Sequence, residues 1–449
     1  MGIPLYIEKT GMEGKYDYEP CLPRTFREAI EICSALGIQH IWIDSLCIIQ
    51  DDLGDWQAEA GRMDSVYANA ALTIAASAAA SIAEGCFVET ESFGTRLSSY
   101  DPLAVRGGTS FIELNTRAWT LQEHVLSRRV LHCTSPELRW QCNSAYCIEA
   151  GIRPPEFMAD GIIRTLPELL SSSDFCDAER GDIVMTAWRR WISSYSHRDV
   201  SVPLDRLAAL SGIVQAITRE VGYTHLLGCW AETLCTDLSW VASSTLFEDR
   251  QDPKTMIKGL PSWTWLSSSY PVDQHHENDM CPRIRETSDP WKDHTQLVAT
   301  DIRWEGQPLV SALKRGHLDL RGPVLSLTFS GKRDPVVAPL DLMDDGTYHC
   351  GSESDTQPPG TYPCLVLQSR EAEREIKSHV LAVMMLKPVD ENNDVTRGAS
   401  ISEHKFNSND GTQGNVLQCY RRVGFAWAHC EGGNIHDWPQ QISTVIRLV

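Results

Sequence analysis

No Cys-x-x-Cys pair occurs among the fifteen cysteines. Their scatter among apolar neighbours argues against a disulfide framework and against the redox and zinc motifs built on that spacing. Basic residues are also short: forty Lys and Arg face sixty Asp and Glu, a formal net charge of −20. Such a balance repels phosphate backbones and anionic membrane surfaces, so no nucleic acid is expected as a partner. No window holds the roughly 18 apolar residues of a membrane span. Met1 to Tyr6 lacks the basic segment and apolar core of a signal peptide, so the chain is expected in the cytoplasm. There is no Gly-x-Ser-x-Gly elbow, no Walker loop and no Gly-x-Gly-x-x-Gly fingerprint. Serine-hydrolase, P-loop and dehydrogenase readings lose support accordingly.

What is present suits a large folded chain. Its 449 residues allow two or three domains, and a hydrophobic content of 42% with 22% charge leaves no case for wholesale disorder. Residues 1–21 are weakly patterned. Thr25-Phe26-Arg27-Glu28 then reads as a capping box, and Phe26, Ala29, Ile30 and Cys33 fall at helical spacing before Gly37, which predicts a helix over 26–36. The apolar run Ile41-Trp42-Ile43-Asp44-Ser45-Leu46-Cys47-Ile48-Ile49 predicts a strand buried on both faces, its C-terminal end opening on a crevice. Asp55 is expected to cap the next helix, whose stripe is Trp56, Ala60, Met63 and Tyr67. Ala71 to Ala76 predicts a second, parallel strand.

Thr90 to Gly108 reads as loop, Arg117 to Ser127 as helix, and Val130 to Cys133 and Glu137 to Cys142 as short strands. Pro154-Pro155 suggests a boundary near 150. Helical patterning runs from Ile162 to about Glu220, with Trp188 and Trp191 in one helix and Leu204 to Val214 in another. From about 296 alternating segments such as His317 to Leu320 and Val380 to Val383 predict strands, with long loops at Arg333–Pro359 and Asn392–Gly414. The expected division is an α/β region over 1–150 with its core motifs in 22–142, a mainly helical Trp-rich region over 151–295, and a β-rich region over 296–449. His132, Cys133, Cys142 and Cys147 match no standard zinc spacing and are read as core residues, so no metal is expected.

The block Leu22-Pro23-Arg24-Thr25-Phe26-Arg27-Glu28-Ala29-Ile30 through Ile41 to Gln50, followed by Asp55-Trp56, Met63, Val66-Tyr67, Asn69-Ala70 and Leu72-Thr73-Ile74, resembles the fungal heterokaryon-incompatibility, or HET, domain family. A second block, Arg117-Ala118-Trp119-Thr120-Leu121-Gln122-Glu123 with Leu126-Ser127 and Arg129-Val130-Leu131, strengthens the resemblance. Asp205 to Gly212, Gly228-Cys229-Trp230, Pro261-Ser262-Trp263-Thr264-Trp265 and Tyr420 to Gly424 look like the region that commonly follows this domain. The Ser-Tyr-x-Trp-Gly-like motif with which the family opens has no counterpart in residues 1–21. The resemblance implies a role in nonself recognition, in which the domain triggers cell death through a protein partner or self-association. It also implies a TIR- or flavodoxin-like parallel sheet, and some TIR domains cleave NAD with a glutamate on a helix beside the nucleotide crevice.

Against that background, Glu59 and Glu123 are the candidate catalytic carboxylates. Glu59 follows Trp56 by one turn, a placement suited to stabilising a developing oxocarbenium ion; its alternative is a solvated carboxylate paired with Arg62. Glu123, with Gln122, follows Trp119 and either does chemistry or braces the loop after the first strand. Asp44 is a ligand contact or a structural partner of Arg117 or of a backbone amide. Cys47 is a packed thiol unless a base lies beside it, and Gln50 and Asp51 stand where a strand end would meet a ligand. The readings that follow are a HET-type signalling effector, an NAD-cleaving enzyme with NAD as substrate rather than cofactor, or a scaffold recruited to small-molecule biosynthesis.

Overall fold

The computed structural model describes residues 22–87, 116–134, 137–149, 163–171, 177–200, 202, 205–242, 257, 259–274, 291–329, 341–342, 348–350, 360–372, 378–389, 417–431 and 443–449. Residues 1–21, the expected loops at Thr90–Gly108 and Asn392–Gly414 and the Pro154-Pro155 boundary lie outside them. The chain divides into two compact units, 1–222 with 309–311 and 223–308 with 312–449.

In the first unit, helix α1 (Arg24–Ala35) buries Ala29 and Cys33, four apart on one face, and Gly37 follows with φ of 70°. The capping box does not form. Thr25 Oγ1 accepts from the Gly85 amide (3.1 Å), and Glu28 accepts from the amides of Cys86 (2.6 Å) and Phe87 (2.7 Å) and from Arg24 Nε (2.5 Å). These side chains fasten a distant loop instead of their own helix end. Gly85 has φ of 93°, and a Cβ there would lie 2.2 Å from Glu28 Oε2, so only glycine fits.

The run Ile41 to Ile49 is not the expected strand. Its central residues form a single helical turn, α2 (Asp44–Cys47), with Asp44 and Ile49 exposed. The cause is local: Asp44 Oδ1 accepts from the Ser45 amide (2.7 Å), Gln50 Nε2 donates to Ile48 O (2.9 Å), and Asp55 Oδ2 accepts from the Ile49 amide (2.9 Å). Polar side chains thus take the backbone groups a ladder would need. Asp52, not Asp55, caps α3 (Leu53–Ala60), accepting from Gly54 and Asp55 amides. The stripe expected on one helix crosses into a second, α4 (Met63–Asn69), after a break at Gly61-Arg62.

Strand β1 (Thr73–Ala75) pairs in parallel with β2 (Arg129–Cys133), Thr73 opposite Val130, and β3 (Leu138–Cys142) and β4 (Ala145–Ile148) extend the sheet antiparallel. The sheet is therefore mixed, with one parallel pair among the described residues. Helices α5 (Trp119–Leu126), α6 (Leu166–Ser171), α7 (Asp177–Ser196), α8 (Asp205–Ala208) and α9 (Ser211–Val221) complete this unit, with Leu121, Trp188, Ile213 and Ile217 wholly buried. The helix expected over Leu204 to Val214 is interrupted at Ala209-Leu210.

The second unit begins with two short ladders, β5 (His225–Leu226) with β6 (Cys229–Trp230) and, after α10 (Leu234–Asp237), β7 (Trp240–Ala242) with β8 (Val272–Gln274). It continues with β9 (Lys292–Asp293), β10 (Gln296–Trp304), β11 (Leu313–Phe329), β12 (Asp341–Leu342), β13 (Tyr348–Cys350), β14 (Gly360–Ala372), β15 (Ser378–Pro388), β16 (Gln418–Glu431) and β17 (Ser443–Leu448). Strands β12 and β13 lie where sequence patterning predicts only loop. The first half of β11 pairs with β17 and the second half with β14, while β17, β16, β15 and β14 pair in succession, so five strands close on themselves. Pro323, which has no amide to donate, sits where β11 changes partner. Alternate residues Leu325, Leu327, Cys364, Val366, Leu381, Val383 and Met385 meet in one core. No helix among the described residues is long and apolar enough to cross a membrane.

Candidate functional site

Helix α5 carries the residues that converge. Its start is fixed by a short bridge between Arg117 and Asp199, in which the Asp199 amide donates to Thr116 O (2.5 Å) and the Ala118 amide to Asp199 O (3.1 Å). Next to that bridge the buried Arg198 guanidinium donates to Thr120 Oγ1 (2.9 Å), Arg117 O (3.4 Å) and Ser194 Oγ (3.4 Å). Burial pulls Arg198 down to about 10, a shift opposed by the negative charge of Glu123.

Glu123, one turn into α5, is half-buried and has the Tyr67 hydroxyl beside it. Burial, then the charge of Asp44, pushes its carboxyl up to about 7; Arg117, Arg198 and the Tyr67 hydroxyl pull the other way. Tyr67 is itself held well above 10, first by burial and then by the charges of Glu123 and Asp44. The Tyr67 ring stands edge-on to Trp42, with centroids 5.8 Å apart. Asp44, Arg117, Arg198 and Tyr67 thus all act on Glu123, and near neutral pH it can take up or release a proton.

Gln122 faces elsewhere, since neighbouring helix positions diverge by about 100°. It is fully buried, accepting from the Gly212 amide (2.6 Å) and approaching Met63 Sδ (3.7 Å), so it ties α5 to α9 and α4. A Cβ on Gly212 would lie 2.8 Å from Gln122 Oε1. Glu59 is buried on α3 and pairs with exposed Arg62 at 3.1 Å, and the charges that move Glu123 come from other residues. Trp56 and Trp119 meet edge-to-face at 6.1 Å over Ala60, Ala208 and Val310. Cys47 is a half-buried free thiol; Asp51 is exposed and Gln50 folds back on its own turn.

The structure therefore brings Asp44 and Arg117 within electrostatic reach of Glu123 and places Glu59 with Arg62, Gln122 against Gly212, and Trp56 against Trp119. Asp44 lies in an exposed helical turn, not inside a strand. Sequence reasoning did not find Arg198, and it placed Tyr67 on the helix stripe and in the family-like block but not in a site. The charged triplet His197-Arg198-Asp199 at the end of a long amphipathic helix is the signal that marks Arg198. Among the described residues no group of three His, Cys, Asp or Glu side chains is placed to hold a metal ion.

No curated protein and no solved structure matches the chain. Residues 9–123, which contain Asp44, Tyr67, Arg117 and Glu123, match the family model described as heterokaryon incompatibility protein (HET), and over that stretch the chain is similar to this family.

Proposed function

We propose that this chain is a nonself-recognition effector of the heterokaryon-incompatibility type, whose N-terminal region generates a death signal and whose region beyond about residue 150 senses a partner or restrains it. The observation that carries this reading is the family match over 9–123. Its motif residues Asp44, Tyr67, Arg117 and Glu123 also group around one carboxylate, which supports a working site rather than a purely structural one. A TIR-like sheet, self-association and action in the cytoplasm belong to the same proposal. The test is expression of the chain and of Glu123→Gln in a fungal host, with viability as readout. Growth arrest by the native chain supports the reading; normal growth at confirmed expression, under conditions of cell fusion, rejects it.

A second reading, cleavage of NAD, is favoured by the state of Glu123. A carboxyl near neutrality beside Tyr67 and two guanidiniums has the features needed to stabilise an oxocarbenium-like transition state or to accept a proton from water. Purified protein at high concentration, to favour assembly, is incubated with NAD beside Glu123→Gln and Glu59→Gln. Nicotinamide release lost in Glu123→Gln and retained in Glu59→Gln is the expected pattern. Loss only in Glu59→Gln moves the chemistry to α3, and no release from folded, assembled protein removes the enzymatic reading.

A further inference from the structure

Away from Glu123, the fold brings two thiols together. Cys86 closes the loop that Glu28 grips, and Cys133 ends β2. With Ala29 they form a small core cluster walled by Ile32, Ile41, Ile74 and Ala76, and both are free thiols with almost no exposure. The two cysteines pack side by side in this cluster, and the Cys86 thiol approaches Thr25 O at 3.8 Å. The neighbouring thiol pulls Cys133 down, while the same neighbour and burial hold Cys86 up, so Cys133 is the more readily ionised of the two.

We propose that Cys86 and Cys133 form a reversible disulfide when the protein meets hydrogen peroxide, joining the loop over 82–87 to strand β2. The Cys133 thiolate attacks one peroxide oxygen, breaking the O–O bond and releasing hydroxide, and becomes a sulfenic acid. The Cys86 sulfur then attacks the Cys133 sulfur; its proton leaves with the sulfenic oxygen as water, and the S–S bond forms. Two thiols are oxidised by two electrons and one peroxide is reduced to two waters. Access comes from the surface side. Residues Ala80 to Glu84 are exposed, so lifting this loop uncovers Cys86 without opening the sheet. Strand β2 lies just beyond the family-matched stretch and already pairs with β1 inside it, so the bond would add a covalent tie to that pairing.

The test uses the full chain, reduced, desalted and exposed to hydrogen peroxide, then blocked with N-ethylmaleimide in denaturant and digested without reductant. A peptide joining Cys86 to Cys133, split by dithiothreitol, is expected, with labelling of both sulfurs down by about tenfold or more. Cys33, a buried thiol of α1 outside the cluster, should keep its label. Cys86→Ser should lose the cross-linked peptide; Cys133→Ala, which places a methyl in an apolar cluster, serves if the serine variant fails to fold. Unchanged labelling of Cys86 and Cys133, oxidation confined to the more exposed Cys142, or a bond from Cys86 to another cysteine would overturn the proposal.

Discussion

Both units contain a charged group drawn away from water, and they satisfy it in opposite ways. In the second unit Arg422 is buried under β7, donating to the backbone carbonyls of Leu238 and Trp240 and lying 3.8 Å from the centre of the Trp240 ring. Burial pulls it down to about 9, yet it stays charged at neutral pH because its partners are carbonyls fixed by the fold. In the first unit Glu123 is met by side chains from separate segments: Asp44, Tyr67, Arg117 and Arg198. Backbone partners do not rearrange without unfolding, whereas side chains can. A charge tied to backbone acts as a structural pin, and a charge ringed by side chains keeps the freedom that binding or proton transfer requires.

The largest effect should come from the pin. Arg422→Ala removes two charge-assisted hydrogen bonds, strands two buried carbonyls and empties the face of Trp240, and is expected to lower stability by about 3–5 kcal/mol in a urea titration. A loss near zero would break the contrast between the units. Gly85→Ala tests the place where the first unit also grips backbone. A methyl at positive φ against Glu28 should cost about 2–3 kcal/mol and be read as a lower denaturant midpoint.

Glu123 should show its signature in pH. Its folded carboxyl lies at about 7, above the ordinary value of 4.5. The folded state therefore holds the proton more tightly. That contribution is fully present below the ordinary value and is lost as pH rises through about 7. Glu123→Gln, which cannot ionise, should be more stable than the native chain by roughly 1–3 kcal/mol at pH 8, with the gap closing toward pH 4. Parallel melts of the two proteins across that range decide it, and a gap independent of pH would contradict the shift. The smallest effect belongs to Arg62→Ala. Its side chain is 67% exposed, so losing the pair with Glu59 should change stability by under about 1 kcal/mol, measured in the same titration.

The parts of the fold written in periodicity were legible. Helices α1 and α5, strands β1 to β3 and strands β11 and β15 all lie where apolar runs and spacing place them; α1 buries Ala29 and Cys33 on one face, and β15 is buried on both faces from Val380 to Leu386. Closure of the five-stranded ring was not legible. It depends on β11 changing partner at Pro323, and alternation within a strand carries no information about which neighbour it will have. Ile41 to Ile49 misled because apolar content alone reads as buried strand, while Asp44, Gln50 and Asp55 bind the backbone locally. Glu123 stood out as an acid following Trp119, but its neighbours Tyr67 and Arg198 come from segments far along the chain. Spacing within one helix cannot show that they meet.

The grip of Thr25 and Glu28 on the loop at 82–87 also sets an order of events. The Thr25 amide donates to Ile82 O at 3.1 Å, and Thr25 Oγ1 and Glu28 take the amides of Gly85, Cys86 and Phe87. A chain emerging from the ribosome presents α1 long before that loop exists. Until then Glu28 has Arg24 but not the loop amides, the helix start has no side-chain cap, and short helices in that condition are marginal in water. Helix α1 is thus secured only after the loop at 82–87 has been made, and during elongation it stays within reach of whatever chaperone or partner meets the nascent chain.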